Sequence, residues 1–229
     1  MAGISTSADP VNPDEAIAWF RERVPVHPDE WHALDAQARR RAFTVSGVSA
    51  LDVLSEVWEA IDRAIATGTS YDDFRRDVRG TLASEWGGEI PGRIDTIFRT
   101  NVQSGYGAGR YRQLTDPEVL HDRPYWMFDA ILDSRTSPIC RPLDRTVKPA
   151  SDPWWSLRQP PLHFNCRSSI ISLTGDQAAE QGLTHHEPDA DPPLEGFGRP
   201  ADLGEWQPSE SDYPPDLWSA YQQWTQARR

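Results

Sequence analysis

Cys140, His163 and Cys166 hold the nucleophilic and soft metal-binding atoms that the middle of this chain offers. Zinc takes thiolate and imidazole in a tetrahedron, and Asp133 or Asp129 can add an oxygen as the fourth ligand. A thiol beside an imidazole is also the arrangement of a Cys/His nucleophilic pair, with Asp133 orienting the ring. Two readings need no chemistry: the thiols only pack, or they join as a disulfide. Two cysteines in 229 residues are no disulfide framework, and a reducing cytosol keeps them as thiols or metal ligands. Paired CxxC knuckles are absent, and Pro160-Pro161 stiffens a His163 loop framed by Trp154, Trp155 and Phe164. That setting favours a structural clasp. The expectation is therefore no catalytic residue and no cofactor, zinc being the one exception that the ligand types allow. Asp133 is expected to cap its own turn, Arg167 to pair with a carboxylate such as Asp133 or Asp144, and His163 to satisfy a backbone group.

The elements that position these residues lie between 123 and 173. Tyr125 to Leu132 is a run of mostly large apolar side chains, bounded by Pro124 and the turn former Asp133-Ser134, and predicts a buried strand with Asp133 at its end. Asp133 to Pro138 is a turn that leads to Cys140. A second loop, Asp152 to Arg167, precedes a last apolar run, Ile170 to Leu173. Both cysteines thus flank strands.

In order and spacing, Asp133, Thr136, Cys140, Leu143-Asp144, Trp154-Trp155 and PPLHFNCR (Pro160, Pro161, His163, Asn165, Cys166 and Arg167 among them) resemble the phage Mu F-like head morphogenesis family. AWFRERVP, RAFTVSGVSALDVL and GTSYDDFR resemble its N-terminal part, and RTNVQSGYGAGR the helix that opens its central module. The likeness thus runs over nearly the whole chain. Two positions depart from it: Ser168 stands where many members have a further cysteine, and Arg145 where many have glycine after LD. The first departure weighs against a cysteine-rich metal site. The resemblance implies a virion-associated minor head protein that acts in phage or prophage head assembly near the portal. It implies portal, scaffolding and major capsid proteins as partners, the bacterial cytoplasm as the place of assembly and the virion head as the destination. Two other classes stay open: a Cys/His hydrolase or metal-dependent nuclease carried in the head, and a delivery module for a toxin. Some relatives carry effector domains after the head module; here the stretch after it is short and acidic.

Composition narrows the rest. A net charge of −12 argues against a general nucleic-acid binder, because affinity for phosphate backbones comes from Lys and Arg, so any DNA contact is expected to be indirect. Neither a spanning hydrophobic run nor the start of a signal peptide is visible, so a soluble cytoplasmic product with no membrane contact is expected. No small-molecule substrate is implied. GYGAG is not a phosphate loop, since it lies in or after a helix and lacks a following GK[ST].

The fold class expected is α+β: an N-terminal helical region, a small mixed α/β module and an extended acidic C-terminal tail. Residues 1–11 read as a loose arm. Helical signals fill 12–86. Asn12-Pro13-Asp14-Glu15 starts a helix with Ile17, Phe20 and Val24 on one face, which Pro25 stops. His27-Pro28-Asp29-Glu30 starts another, carrying Trp31, Leu34, Ala38 and Ala42. Leu51, Leu54, Trp58, Ile61 and Ile65 mark a third that Gly68 ends, and Ser70 starts a fourth with Phe74 and Val78 buried. Trp86 to Gly92 is a breaker cluster, and the module is expected over 91–173. It opens on a helix with Ile94, Phe98, Val102 and Tyr106, whose glycines 105, 107 and 109 suggest close backbone approach. The tail, 174–229, has eleven Asp/Glu against three Arg and seven prolines. Its aromatics, Phe197 to Trp224, are too many for a simply disordered tract and are expected to fold back on the body or dock on a partner.

Overall fold

The computed structural model describes residues 14–31, 34, 42–48, 50–200, 219 and 222. It is α+β, as expected. Helix α1 (Asp14–Arg21) is followed by a two-residue strand β1 (Val24–Pro25), a short α2 (Pro28–Trp31) and β2 (Ala42–Phe43), which pairs parallel with β1. Two predicted helical faces are corrected here. Val24 and Ala42 are strand residues facing each other across that ladder, and Pro25 sits inside the strand. A proline is tolerated there because the pair is an edge. Leu34, expected in the second helix, is a buried bend residue, whereas Ala38 falls outside the described residues, as do Asn12 and Pro13.

Helices α3 (Leu51–Thr67) and α4 (Tyr71–Glu85) follow the expected stripes except at Leu51, which opens α3 and is 39% exposed. Val53, Leu54, Val57, Trp58, Ile61, Ala64 and Ile65 are buried, Gly68 closes α3 in the left-handed conformation, and the Ser70 hydroxyl caps α4 by accepting from the Asp73 amide at 3.2 Å. Phe20 of α1 stacks on Trp58 at 5.2 Å, and the indole N–H of Trp58 donates to the Arg23 carbonyl at 3.1 Å.

The long helix α5 (Arg93–Leu114) joins both halves. Ile94 and Ala108 belong to the core of the helical layer, whereas Leu114 belongs to that of the sheet module. Two of its glycines are where backbones meet, whereas Gly105 faces a side chain, a methyl there falling 3.0 Å from Ile65 Cδ1. A methyl on Gly109 would lie 3.1 Å from the amide nitrogen of Ala16, and one on Gly107 3.0 Å from the carbonyl oxygen of Pro160. The second of these contacts places the long helix against the His163 loop.

After α6 (Pro117–Asp122) comes a three-stranded antiparallel sheet in the order β4-β3-β5, with β3 Tyr125–Asp129, β4 Val147–Pro149 and β5 Ser169–Leu173. The central strand is covered on both faces, as its unbroken apolar run requires: Trp126 and Phe128 enter one core, and Met127 enters another with Val147, Leu173 and Ala178. β3 is shorter than predicted. The Asp144 carboxylate accepts the Ala130 amide at 2.9 Å, taking the place of a ladder partner, and Ile131 and Leu132 turn outward at 50% and 54% exposure. Asp133 therefore lies in the turn beyond the strand and not at its end.

Part of the acidic tail is built into this module. Thr174 and Gln177 form a capping box for α7 (Gly175–Gln181), which packs Ala178 on the sheet. A strap then runs from 182 to 200. Thr184 donates its amide to the Val147 carbonyl at 2.8 Å, so the free edge of β4 is covered. Further on, Leu194 and Gly198 donate to the carbonyls of Leu162 and Pro161, each at 3.0 Å, and Phe197 meets Phe164 edge-on at 5.0 Å. Phe197 thus folds back on the body; Trp206, Tyr213, Trp218 and Trp224 lie outside the described residues.

Candidate functional site

Two loops converge below the sheet. The first leaves β3 and carries Asp133, Thr136, Ser137 and Cys140. The second contains Pro160 to Arg167 and enters β5. The turn of the first is self-satisfied: the Asp133 amide donates to Thr136 Oγ1 at 2.7 Å, the Thr136 hydroxyl donates to the Ile131 carbonyl, and the Arg135 amide donates to Asp133 Oδ1 at 2.8 Å. Arg167 then reaches across with a two-pronged ion pair, Nη1 to Oδ2 at 2.8 Å and Nη2 to Oδ1 at 2.6 Å. The Arg167 fork first, and the Arg135 amide second, hold the Asp133 carboxyl well below the usual carboxylate range.

The second loop is fixed to the long helix. Asn165 adopts a left-handed backbone, φ 57°, which asparagine tolerates, and so presents its amide to Thr100 Oγ1 at 3.2 Å and its side-chain nitrogen to Thr96 Oγ1 at 3.1 Å. The Pro160-Pro161 bond is cis. Among the described residues Arg145 is the other left-handed residue without a glycine's freedom, φ 60°, and its guanidinium donates to Gln181 of α7.

Between the loops, Cys140 Sγ lies 3.8 Å from Cys166 Sγ and 3.3 Å from His163 Nε2. Both thiols are free and buried. The Ser137 hydroxyl is 2.7 Å from His163 Nε2 and also accepts the Cys140 amide, while His163 Nδ1 donates to the Phe164 carbonyl at 2.7 Å. Cys166 is pulled down to about 4, first by the Cys140 thiol and then by His163 and the backbone of Leu162 and Ser168, against its burial. Cys140 is pushed up by the same sulfur contact and by burial. The imidazole of His163 is raised by the Cys166 sulfur and by the Phe164 carbonyl, against its burial.

Among the described residues, Cys140, His163 and Cys166 are a group whose ligand atoms all fall within 4.8 Å of one another. Asp133 is not in it, because its carboxylate is committed to Arg167; Asp129 accepts instead from the Ser169 hydroxyl at 3.3 Å. The expected fourth oxygen ligand is thereby corrected for both candidates. Arg167 chose Asp133, and Asp144 went to the strand end. Both sulfurs lie beside the imidazole, Cys140 Sγ at 3.3 Å from Nε2, and both cysteines are 2% exposed.

The family model described as Phage Mu protein F like protein matches residues 55–171, just over half of the chain. The chain belongs to that family. Its similarity extends to the putative capsid assembly protein F of Escherichia phage Mu, 32% identical over 188 residues that make up 75% of this chain and 42% of the relative. It extends as well to the Mu-like prophage FluMu F protein of Haemophilus influenzae, 30% identical over 178 residues, 72% of this chain and 42% of that one. The chain thus spans less than half the length of the curated relatives it matches. No solved structure matches it.

The Mu F-like match begins in α3 and ends in β5, so it takes in most of α3, all of α4 and α5, and the sheet with both loops. The motif residues read from the sequence all fall in the two loops, and the structure brings Asp133 to Arg167, Ser137 to His163 and Cys140 to Cys166. Sequence reasoning missed Ser137, Ser168, Thr96 and Thr100 as partners. Ser168 is 3% exposed, and its carbonyl accepts from the Gln103 side chain at 3.3 Å.

Proposed function

We propose that this Mu F-like chain is a minor head protein that acts in assembly of a phage or prophage head, carried in the virion and positioned near the portal. The observation that supports this most is the family match across both layers, together with likeness to a relative named for capsid assembly. The geometry is in keeping with a scaffold role. The two thiols are buried while the imidazole is half-buried, and the cleft of about 430 Å³ beside the sheet is lined by Tyr111, Trp126, Trp155 and Gln159, with no cysteine or histidine. The proposed partners are portal, scaffolding and major capsid proteins. DNA contact is indirect in this reading, in line with a charge of −12. No helix among the described residues is long and apolar enough to cross a membrane.

Deleting the gene from a phage or inducible prophage tests this. Infectious particles should fall because heads fail while tails still form, and the intact gene in trans should restore them. Normal DNA-filled heads in the deletion strain would remove the assembly role.

A further inference from the structure

We propose that Cys140, Cys166 and His163 form a zinc site, with one Zn²⁺ held by the two sulfurs and by Nε2 of the imidazole. This goes beyond the assembly role and does not depend on it.

Three observations carry it. The first is spacing. Zinc sits about 2.3 Å from each thiolate in a tetrahedron, which sets two sulfurs about 3.8 Å apart; the observed separation is 3.8 Å. A disulfide needs about 2.05 Å. A thiolate and an imidazole nitrogen on the same ion lie about 3.5 Å apart, and Cys140 Sγ to His163 Nε2 is 3.3 Å. The second is orientation. His163 Nδ1 donates to the Phe164 carbonyl at 2.7 Å, which fixes the tautomer and leaves the Nε2 lone pair, taken by the Ser137 hydroxyl at 2.7 Å, beside Cys140 Sγ at 3.3 Å.

The third is support and charge. The ligands come from loops 23 and 26 residues apart in sequence, and each loop is fixed from outside the cluster, one to the other by Asp133 with Arg167, the second to α5 by Asn165 with Thr96 and Thr100. Two thiolates would be costly in a site where both cysteines are 2% exposed; a divalent cation neutralises them in place. The fourth corner falls to water or to the Ser137 hydroxyl, the oxygen nearest Nε2 at 2.7 Å. A bound ion would pin the two loops together as a disulfide does, but in a reducing compartment.

The experiment uses the full chain, dialysed against zinc chloride and then against metal-free buffer. About one zinc per chain should remain by elemental analysis. Cobalt put in its place should show the intense visible bands of a tetrahedral ion and a near-ultraviolet thiolate charge-transfer band. Both cysteines should resist a thiol reagent until a chelator is added. Cys140→Ser and Cys166→Ser should each lose the charge-transfer intensity; if either fails to fold, the three readouts on the native chain decide. No retained zinc, an octahedral cobalt spectrum, or thiols equally reactive with and without the ion would overturn the proposal. Zinc retained with unprotected thiols would overturn it too, since the ion would then sit elsewhere. Particle yield is not among these readouts, so a failure here leaves the assembly role standing.

Discussion

Between Leu51 and Leu82 each buried side chain of α3 and α4 is apolar, whereas the sheet module buries Thr146, Lys148, Arg158, Gln159, Ser168 and Ser172 along with its hydrocarbon. Helices satisfy their own backbone, so their interior needs only shape. The module has strands of three to five residues joined by long loops, and their amides and carbonyls must find partners outside a ladder. Lys148 Nζ donates to the Thr184 carbonyl at 3.2 Å, Arg158 to the Asp191 carbonyl at 3.1 Å, and the Asp144 carboxylate takes the Ala130 amide. One region is held by volume and the other by connection. A truncation should therefore cost according to the hole it leaves in the first, and according to the partner it strands in the second.

The largest effect expected on that basis is in the helical layer. Trp58→Ala removes an indole that is 2% exposed, stacks on Phe20 and bonds Arg23. The loss should be about 3–5 kcal/mol by urea unfolding, in the range for large aromatics cut back in a core. A loss below about 1 kcal/mol would mean that the layer collapses around the hole and is not held by shape.

The same contrast explains what could be read from the chain. The stripe of α3, the Gly68 stop and the Ser70 cap are local, set by residues three or four apart, and each was legible. The Asp133 and Arg167 pair was legible as a preference of two residue types. The strand Val147–Pro149 was not: three residues with a lysine and a proline carry no alternation, and the strand exists because Met127 and Thr184 lie on either side of it. Val24 and Ala42 misled for the same reason, since helical spacing on one segment says nothing about a ladder partner 18 residues away. At the site, the thiols and the imidazole were visible as chemistry, but Ser137, Thr100 and Thr96 became partners only when folding brought together residues 26, 65 and 69 positions apart, with left-handed Asn165 turned toward the long helix.

A middle-sized effect should follow from stranding a partner in the module. Asp144→Ala deletes the acceptor of the Ala130 amide and should cost about 1–3 kcal/mol, the range for an unmet buried donor. Asp144→Asn keeps a carbonyl oxygen at that place and should cost clearly less. Equal losses for the two variants, measured by urea unfolding, would show that charge and not the hydrogen bond closes the strand.

The smallest effect expected at neutral pH is from Asp133→Asn, because Asp133 and Arg167 are both partly open to water, with side-chain exposures of 35% and 26%, and solvent screens such pairs. Its signature is in acid. Arg167 and the Arg135 amide depress the Asp133 carboxyl, so the folded chain binds the proton less readily than the unfolded chain, whose aspartate titrates near about 3.9. The stabilisation is fully present above that value, where both states are ionised. It is lost as the pH falls below it, because the unfolded chain takes up its proton first. Asparagine cannot titrate, so the native protein should melt higher than the variant at pH 7, and the gap should close progressively from about pH 5 downward. Added salt should narrow the gap at pH 7. Parallel melting curves across that range would show that the fork joins the two loops by shape alone, and the module would then resemble the helical layer more than its buried polar groups suggest.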